Sequence, residues 1–165
     1  MHLDVLTISY SDPKAPTIFE NSLKNTGFAV IRDHPIETDL INQVYDEWNT
    51  YFSSDSKMDF IFDQGKQDGY FPYLTENAQG STSKDLKEFY HIYPWGRIPD
   101  IISSSTMTLY NQLTEVASTL LVWLESCAPT SVRKLFSISL KNMIKDSRLN
   151  LFRVIHYPPR TGNEK

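Results

Sequence analysis

Leu149-Asn150-Leu151-Phe152-Arg153-Val154-Ile155-His156-Tyr157-Pro158-Pro159 is the stretch of this 165-residue chain whose reading decides the fold. From Leu149 to Tyr157 the side chains alternate with the period of a strand, and Pro158-Pro159 end it because proline donates no ladder hydrogen bond. Alternation puts Leu149, Leu151, Arg153, Ile155 and Tyr157 on one face. The chain ends six residues after Pro159. An apolar strand needs sheet partners, and nothing downstream supplies them.

Upstream, the pattern is a mixture of helices and short strands. Val5 to Ser9 alternates as a strand, and Ser11-Asp12-Pro13 punctuates it. Ile18, Phe19, Ser22 and Leu23 keep helical spacing, with Gly27 placed where a helix end favours a positive φ. Phe28-Ala29-Val30-Ile31 reads as a short buried strand. Leu40, Ile41, Val44, Tyr45, Trp48, Tyr51 and Phe52 then mark one face of a helix, read as core rather than as a ligand platform. Residues 53–83, with Gly65, Gly69, Pro72 and Gly80, are expected to be mostly loop. Lys84 to Tyr93 reads as a strand. A long helix from Ser105 to Ser126 shows the stripe Tyr110, Leu113, Ala117, Leu120, Leu121 and Leu124, stopped by Pro129. Val132, Leu135, Phe136, Leu140 and Met143 suggest one more helix.

Composition narrows the function classes. At 165 residues the chain has the length of one ordinary domain, or of one domain plus an incomplete neighbour, and can bury roughly 70% of its unfolded surface without staples. Hydrophobic residues make up 40%, aromatics 13% and charged residues 22%. Twenty acids against sixteen bases leave a net charge of −4, the wrong sign for a nucleic-acid footprint. The opening Met1-His2-Leu3-Asp4 lacks the pattern of a signal peptide. The apolar run Val116 to Leu124 is too short to span a bilayer. With one cysteine, Cys127, and no glycosylation sequon, the reading is a cytoplasmic protein with no nucleic-acid or membrane partner.

Chemistry-bearing patterns are sparse. His2, His34, His91 and His156 are widely separated, and none belongs to a His-Glu-x-x-His pattern, so each reads as structural. Ser54–Lys57, Ser81–Lys84 and Ser131–Lys134 fit Ser-x-x-Lys, but no accompanying motif supports an acyl-enzyme. No Walker A or glycine-rich phosphate loop occurs.

Five short pieces, taken in order, nevertheless resemble one family. Gly27 to Pro35 resembles its "GFF…NHG" segment, with His34-Pro35 in place of His-Gly. Tyr51-Phe52 followed by Lys57 resembles the close of its first long helix. Gly69-Tyr70-Phe71-Pro72 is similar to its "GY" loop, and Lys84 to Tyr90 to its "D-x-K-E" strand. Leu151 to Pro159 is similar to the "R-x-x-x-YPP" strand that enters the catalytic barrel. The family is that of the isopenicillin N synthase-like Fe(II)/2-oxoglutarate-dependent dioxygenases.

The resemblance implies an α+β chain: an N-terminal helical and strand region over residues 1–148, then the first strand of an incomplete double-stranded β-helix (jelly roll) over 149–165. It implies the N-terminal portion of an oxidoreductase that, when complete, uses Fe(II) and 2-oxoglutarate to oxidise a small molecule. The iron-binding His-x-Asp and distal His, and the Arg-x-Ser motif for 2-oxoglutarate, lie downstream of "YPP" in the family. Expectations follow: no metal site in this chain, no tight cofactor binding and no turnover alone, with a C-terminal polypeptide completing the barrel. The alternative is a non-catalytic remnant acting as a binding module. Tyr157 occupies the position of the family tyrosine that reaches toward 2-oxoglutarate, and Arg153 shares its face. Either the two meet a carboxylate of cosubstrate or substrate, or Tyr157 packs and Arg153 pairs with a nearby acid. Left unpaired, the last strand should make the chain self-associate, and shortening to about residue 147 should improve solubility.

Overall fold

A computed structural model describes residues 5–77, 80, 82–160 and 162. The opening Met1 to Asp4, with His2, and Ser81 of the second Ser-x-x-Lys match lie outside them. The chain divides into two units, residues 1–37 with 109–147, and residues 38–108 with 148–165.

The first unit is built on a parallel pair, β1 (Thr7–Ser9) and β2 (Val30–Arg32), joined through α1 (Ala15–Thr26). Parallel strands need such a crossover, and the helix supplies it. Pro16 sits in the first turn of α1, where its missing N–H costs nothing. Gly27 takes φ +77° and its N–H closes on the Leu23 carbonyl at 2.9 Å, the expected left-handed cap. Ile8, Ala15 and Phe19 form the core, with Ile31, Leu120, Trp123 and Leu124 packed on it. Buried Ser22 donates to the Phe28 carbonyl at 2.7 Å and accepts from the Leu6 N–H at 3.3 Å, tying the helix to both strand entries.

Two expectations change here. The stretch from Phe28 is not a buried strand: Phe28 is 70% and Val30 50% exposed, because a two-stranded sheet covered on one side leaves alternate residues facing water. The helix expected beyond Pro129 is two short turns, α4 (Thr130–Arg133) and α5 (Leu140–Ile144), with Leu135 fully out in solvent between them. Ser137 and Ser139 offer the backbone side-chain hydrogen-bonding alternatives that weaken a helix. The Leu140 N–H instead donates to Glu125 at 2.7 Å. The long helix, α3 (Ser105–Cys127), covers the expected residues, although Leu113 of its expected stripe is 39% exposed.

The second unit holds α2 (Thr38–Phe52), a 3-10 turn (Asp55–Phe60), and the antiparallel sheet β3 (Gly69–Phe71), β4 (Glu88–Ile92) and β5 (Phe152–His156), in that order. The 3-10 turn and β3 lie within the stretch expected to be mostly loop. The buried stripe of α2 is Val44, Trp48, Tyr51 and Phe52, narrower than its pattern suggests, and Tyr45 is 72% exposed. Trp48 lies 5.1 Å from Tyr90, and Phe52 stacks on His156 at 5.2 Å and 21°. The "GY" pair has a steric reason: Gly69 has φ +115°, and a Cβ there would stand 2.5 Å from the Phe60 carbonyl oxygen. Beside it, buried Asp68 accepts from the Arg97 backbone N–H and, at 3.0 Å, from its Nε.

β5 is not without a partner. It pairs along its whole length with β4, from Glu88↔His156 to Ile92↔Phe152. The partner comes from upstream, so shortening the chain to residue 147 would strip β4 of a neighbour rather than relieve the fold. Among the described residues no strand pairs with the other edge of β5.

Candidate functional site

Alternation along β4 and β5 gives the second unit's sheet two unlike faces. Tyr70, Glu88, Tyr90 and His156 look toward α2. Phe71, Phe89, His91, Arg153 and Ile155 look the other way, set by the register His91↔Arg153 and Phe89↔Ile155.

The α2 side is closed by an ionic cluster around Glu88, whose side chain is only 5% exposed. Its Oε2 accepts from Lys57 Nζ at 2.9 Å and from the Tyr70 hydroxyl, and its Oε1 lies 2.7 Å from His156 Nδ1. Lys57 also donates to the Phe52 carbonyl at 2.7 Å, capping the end of α2. Burial alone would push the Glu88 carboxyl up; the bonds from Tyr70, Lys57 and His156 outweigh it and hold it below its ordinary range. Burial and the Glu88 charge push the Tyr70 phenol up, so it remains a donor at neutral pH.

The opposite face is an aromatic ladder with a basic end. Phe62 and Phe71 lie 4.4 Å apart, Phe71 and Phe89 stack at 4.3 Å and 14°, and the His91 ring is 4.6 Å from Phe71. Arg153 lays its guanidinium 4.8 Å over Phe89 and donates from Nε to His91 Nε2 at 2.9 Å. A ring nitrogen that accepts from an arginine carries no proton, so the His91 proton is on Nδ1. Lys87 also lies over Phe89, at 5.5 Å, and is bound by Asp85 at 2.7 Å. That hydrogen bond, ahead of smaller contributions including one from the Tyr157 phenol, holds Lys87 protonated.

Burial first, and the Arg153 charge second, push the His91 ring down to about 4. An unfolded imidazole titrates near 6.5, so between these values the unfolded chain binds the extra proton. Stability is therefore complete above about pH 6.5 and falls as the pH drops toward 4. The loss between pH 6.5 and 5 should be about 1 kcal/mol or less, discounted for a ring that is only half-buried. Urea midpoints at the two pH values check it, and His91→Gln should flatten the difference.

Of the two residues singled out in the sequence, Arg153 is exposed on this face, and Tyr157 lies just beyond β5 and is 65% exposed. They are four residues apart, roughly 13 Å along an extended strand. Among the described residues Arg153 is paired with a neutral histidine and not with an acid. Sequence reasoning passed over His91 and treated Lys57, Glu88 and His156 as unrelated. Only the strand pairing joins them, although the parity of 88 and 90 against 89 and 91 was available as a signal. Among the described residues no three His, Cys, Asp or Glu side chains converge as a metal-ligand set. His91 and His156 lie on opposite faces of the sheet. These residues do not fit an iron centre, and no step is drawn through one.

The sequence profile of the family described as the N-terminal region of non-haem dioxygenases in morphine synthesis matches residues 5–115. No curated protein sequence matches the chain. Among solved structures, a proposed oxygenase from Shewanella oneidensis is 40% identical, with a TM-score of 0.85 over 98% of this chain and 57% of that one. A proposed 2-oxoglutarate–Fe(II) oxygenase family protein from Caulobacter crescentus is 23% identical, with a TM-score of 0.69 over 96% and 58%. The C-terminally truncated T7H of Neurospora crassa, in apo form, is 18% identical, with a TM-score of 0.61 over 98% and 67%. The chain thus spans little more than half the length of the first two. With the family profile matched over residues 5–115, the chain belongs to the non-haem dioxygenase family and represents that family's N-terminal region.

Proposed function

We propose that this chain is the N-terminal portion of a non-haem Fe(II)/2-oxoglutarate-dependent oxygenase acting on a small molecule, inactive until further strands complete a jelly roll. Residues 1–148 form the family's N-terminal region, and 149–165 enter the catalytic barrel with β5 as its first core strand. The observation that carries this is β5 itself. It is paired with β4 on one side, stands last in the strand order β3-β4-β5 of the described residues, and is lined by exposed Leu151, Ile155 and Tyr157. The chain spans 57% of the Shewanella oneidensis relative, which is correspondingly longer.

In the complete enzyme, iron and 2-oxoglutarate supply oxidising power. This chain's part is to present Arg153 and Tyr157, from one strand face, to the carboxylate of cosubstrate or substrate. Arg153 offers a permanent charge whose Nε is fixed by His91 and whose plane is fixed by Phe89. Tyr157 offers a hydroxyl some way along the same strand. The ladder of Phe62, Phe71 and Phe89 gives the site a dry floor against which a charge-assisted hydrogen bond gains strength.

Anaerobic calorimetry with Mn(II) and 2-oxoglutarate tests the reading. The 165-residue chain should show no tight stoichiometric site. The chain fused to the part of the Shewanella oneidensis relative that follows the matched segment should show one, weakened roughly tenfold or more by Arg153→Ala. A micromolar site in the chain alone, abolished by a histidine substitution, would overturn the proposal. No binding by a folded fusion would favour the non-catalytic binding module.

A further inference from the structure

The two faces of β5 are mechanically linked through consecutive residues. His156 points toward α2 and is held there by Glu88 Oε1 at 2.7 Å and by stacking on Phe52. Tyr157, the next residue, and Arg153, three before, belong to the opposite face. Glu88 is itself pinned by Lys57 from the 3-10 turn and by Tyr70 from β3. One carboxylate therefore joins four pieces of the second unit, and its bond to His156 is the side-chain tie it makes to β5. A strand's register is specified by the side chains it buries on one face, and a one-residue slip would exchange its faces.

We infer that Glu88 and His156 are positioning residues: they latch β5 in the register that keeps Arg153 and Tyr157 on the ligand-facing side of the sheet. The inference rests on the functional reading above for its purpose, but not for its test. The latch works from behind the site. Neither residue touches the ligand-facing side, and both act through the strand. The far-side reporter is His91, which sits beside Phe62, Phe71 and Phe89 and whose titration is displaced first by burial and second by the Arg153 charge.

The test uses the full 165-residue chain and His156→Phe, which keeps a ring to stack on Phe52 and removes the bond to Glu88. Amide exchange of residues 152–156 should accelerate at least about tenfold while the central turns of α2 stay protected. The His91 midpoint, followed by NMR, should rise above about 4 as the Arg153 charge moves away and the ring loses cover. His156→Gln, which keeps a donor for Glu88, should restore both readouts. A folded His156→Phe with unchanged exchange in β5 and an unchanged His91 midpoint would overturn the latch, whatever the calorimetry gives. Should His156→Phe fail to fold, His156→Gln decides alone: parental values support the latch, and a loosened β5 in the folded variant sinks it. Failure of the fused chain to bind 2-oxoglutarate, with both readouts as expected, counts against the functional reading and leaves the latch standing.

Discussion

Trp48→Ala is expected to lower the unfolding free energy by about 3–5 kcal/mol, the range for removing a large aromatic from a packed core. Trp48 is 1% exposed, with Tyr51 at 5.2 Å, Tyr90 at 5.1 Å and Phe52 at 5.9 Å. Its indole N–H donates to Thr106 Oγ1 at 2.9 Å, and Thr106 is fully buried. The substitution therefore empties the centre of the second unit and leaves a hydroxyl without its partner. Trp48→Phe should cost less because it fills much of the volume, yet it still forfeits the hydrogen bond. Urea unfolding followed by circular dichroism measures both. A Trp48→Ala chain that unfolds like the parent would mean the α2 stripe is not core.

Glu88→Ala should be the next most damaging change. It leaves the Lys57 ammonium facing Tyr70 and His156 with no counter-charge. Removing one partner of a buried ion pair costs about 3–5 kcal/mol. Lys57 and His156 keep some access to water, at 24% and 26% side-chain exposure, so about 2–4 kcal/mol is expected. The parent's pH dependence carries the same signature. The folded Glu88 carboxyl titrates below its ordinary value of 4.5. Its contribution is complete above that value and is lost as the pH falls through the lower, folded one. The parent should lose stability in acid on this account, and Glu88→Ala should lose less below pH 4.5. The His91 contribution is lost between about 6.5 and 4 and overlaps this range only at its lower end, so curves at pH 6.5 and 5 read His91 and curves at lower pH add Glu88.

The elements that sequence made legible are those whose signal is local. Gly27 announces the end of α1 because a left-handed residue is needed there and glycine takes that conformation freely. The α3 stripe, Tyr110 to Leu124, runs for about four turns, long enough for its period to be read. Phe28 to Ile31 misled because apolar, β-branched residues describe a strand without saying how many of its faces are covered. The stretch after Pro129 misled because its apolar spacing is helical while its serines offer the backbone competing bonds. The candidate site was legible only by half. Arg153 and Tyr157 could be placed on one face by counting along one strand. His91 and Glu88 acquire their roles from the β4–β5 register, a contact across more than sixty residues that no local pattern encodes.

The central claim is that β5 carries an edge and a face meant for further strands. An edge strand with an apolar face templates association unless a charge or a partner blocks it. Sedimentation velocity of the 165-residue chain over a range of concentrations tests this most directly. The account predicts concentration-dependent self-association, suppressed by Ile155→Lys, which places a charge on a residue that is 42% exposed and leaves the β4 pairing and the Glu88 cluster untouched. A single monomeric species for the parent at every concentration would contradict it.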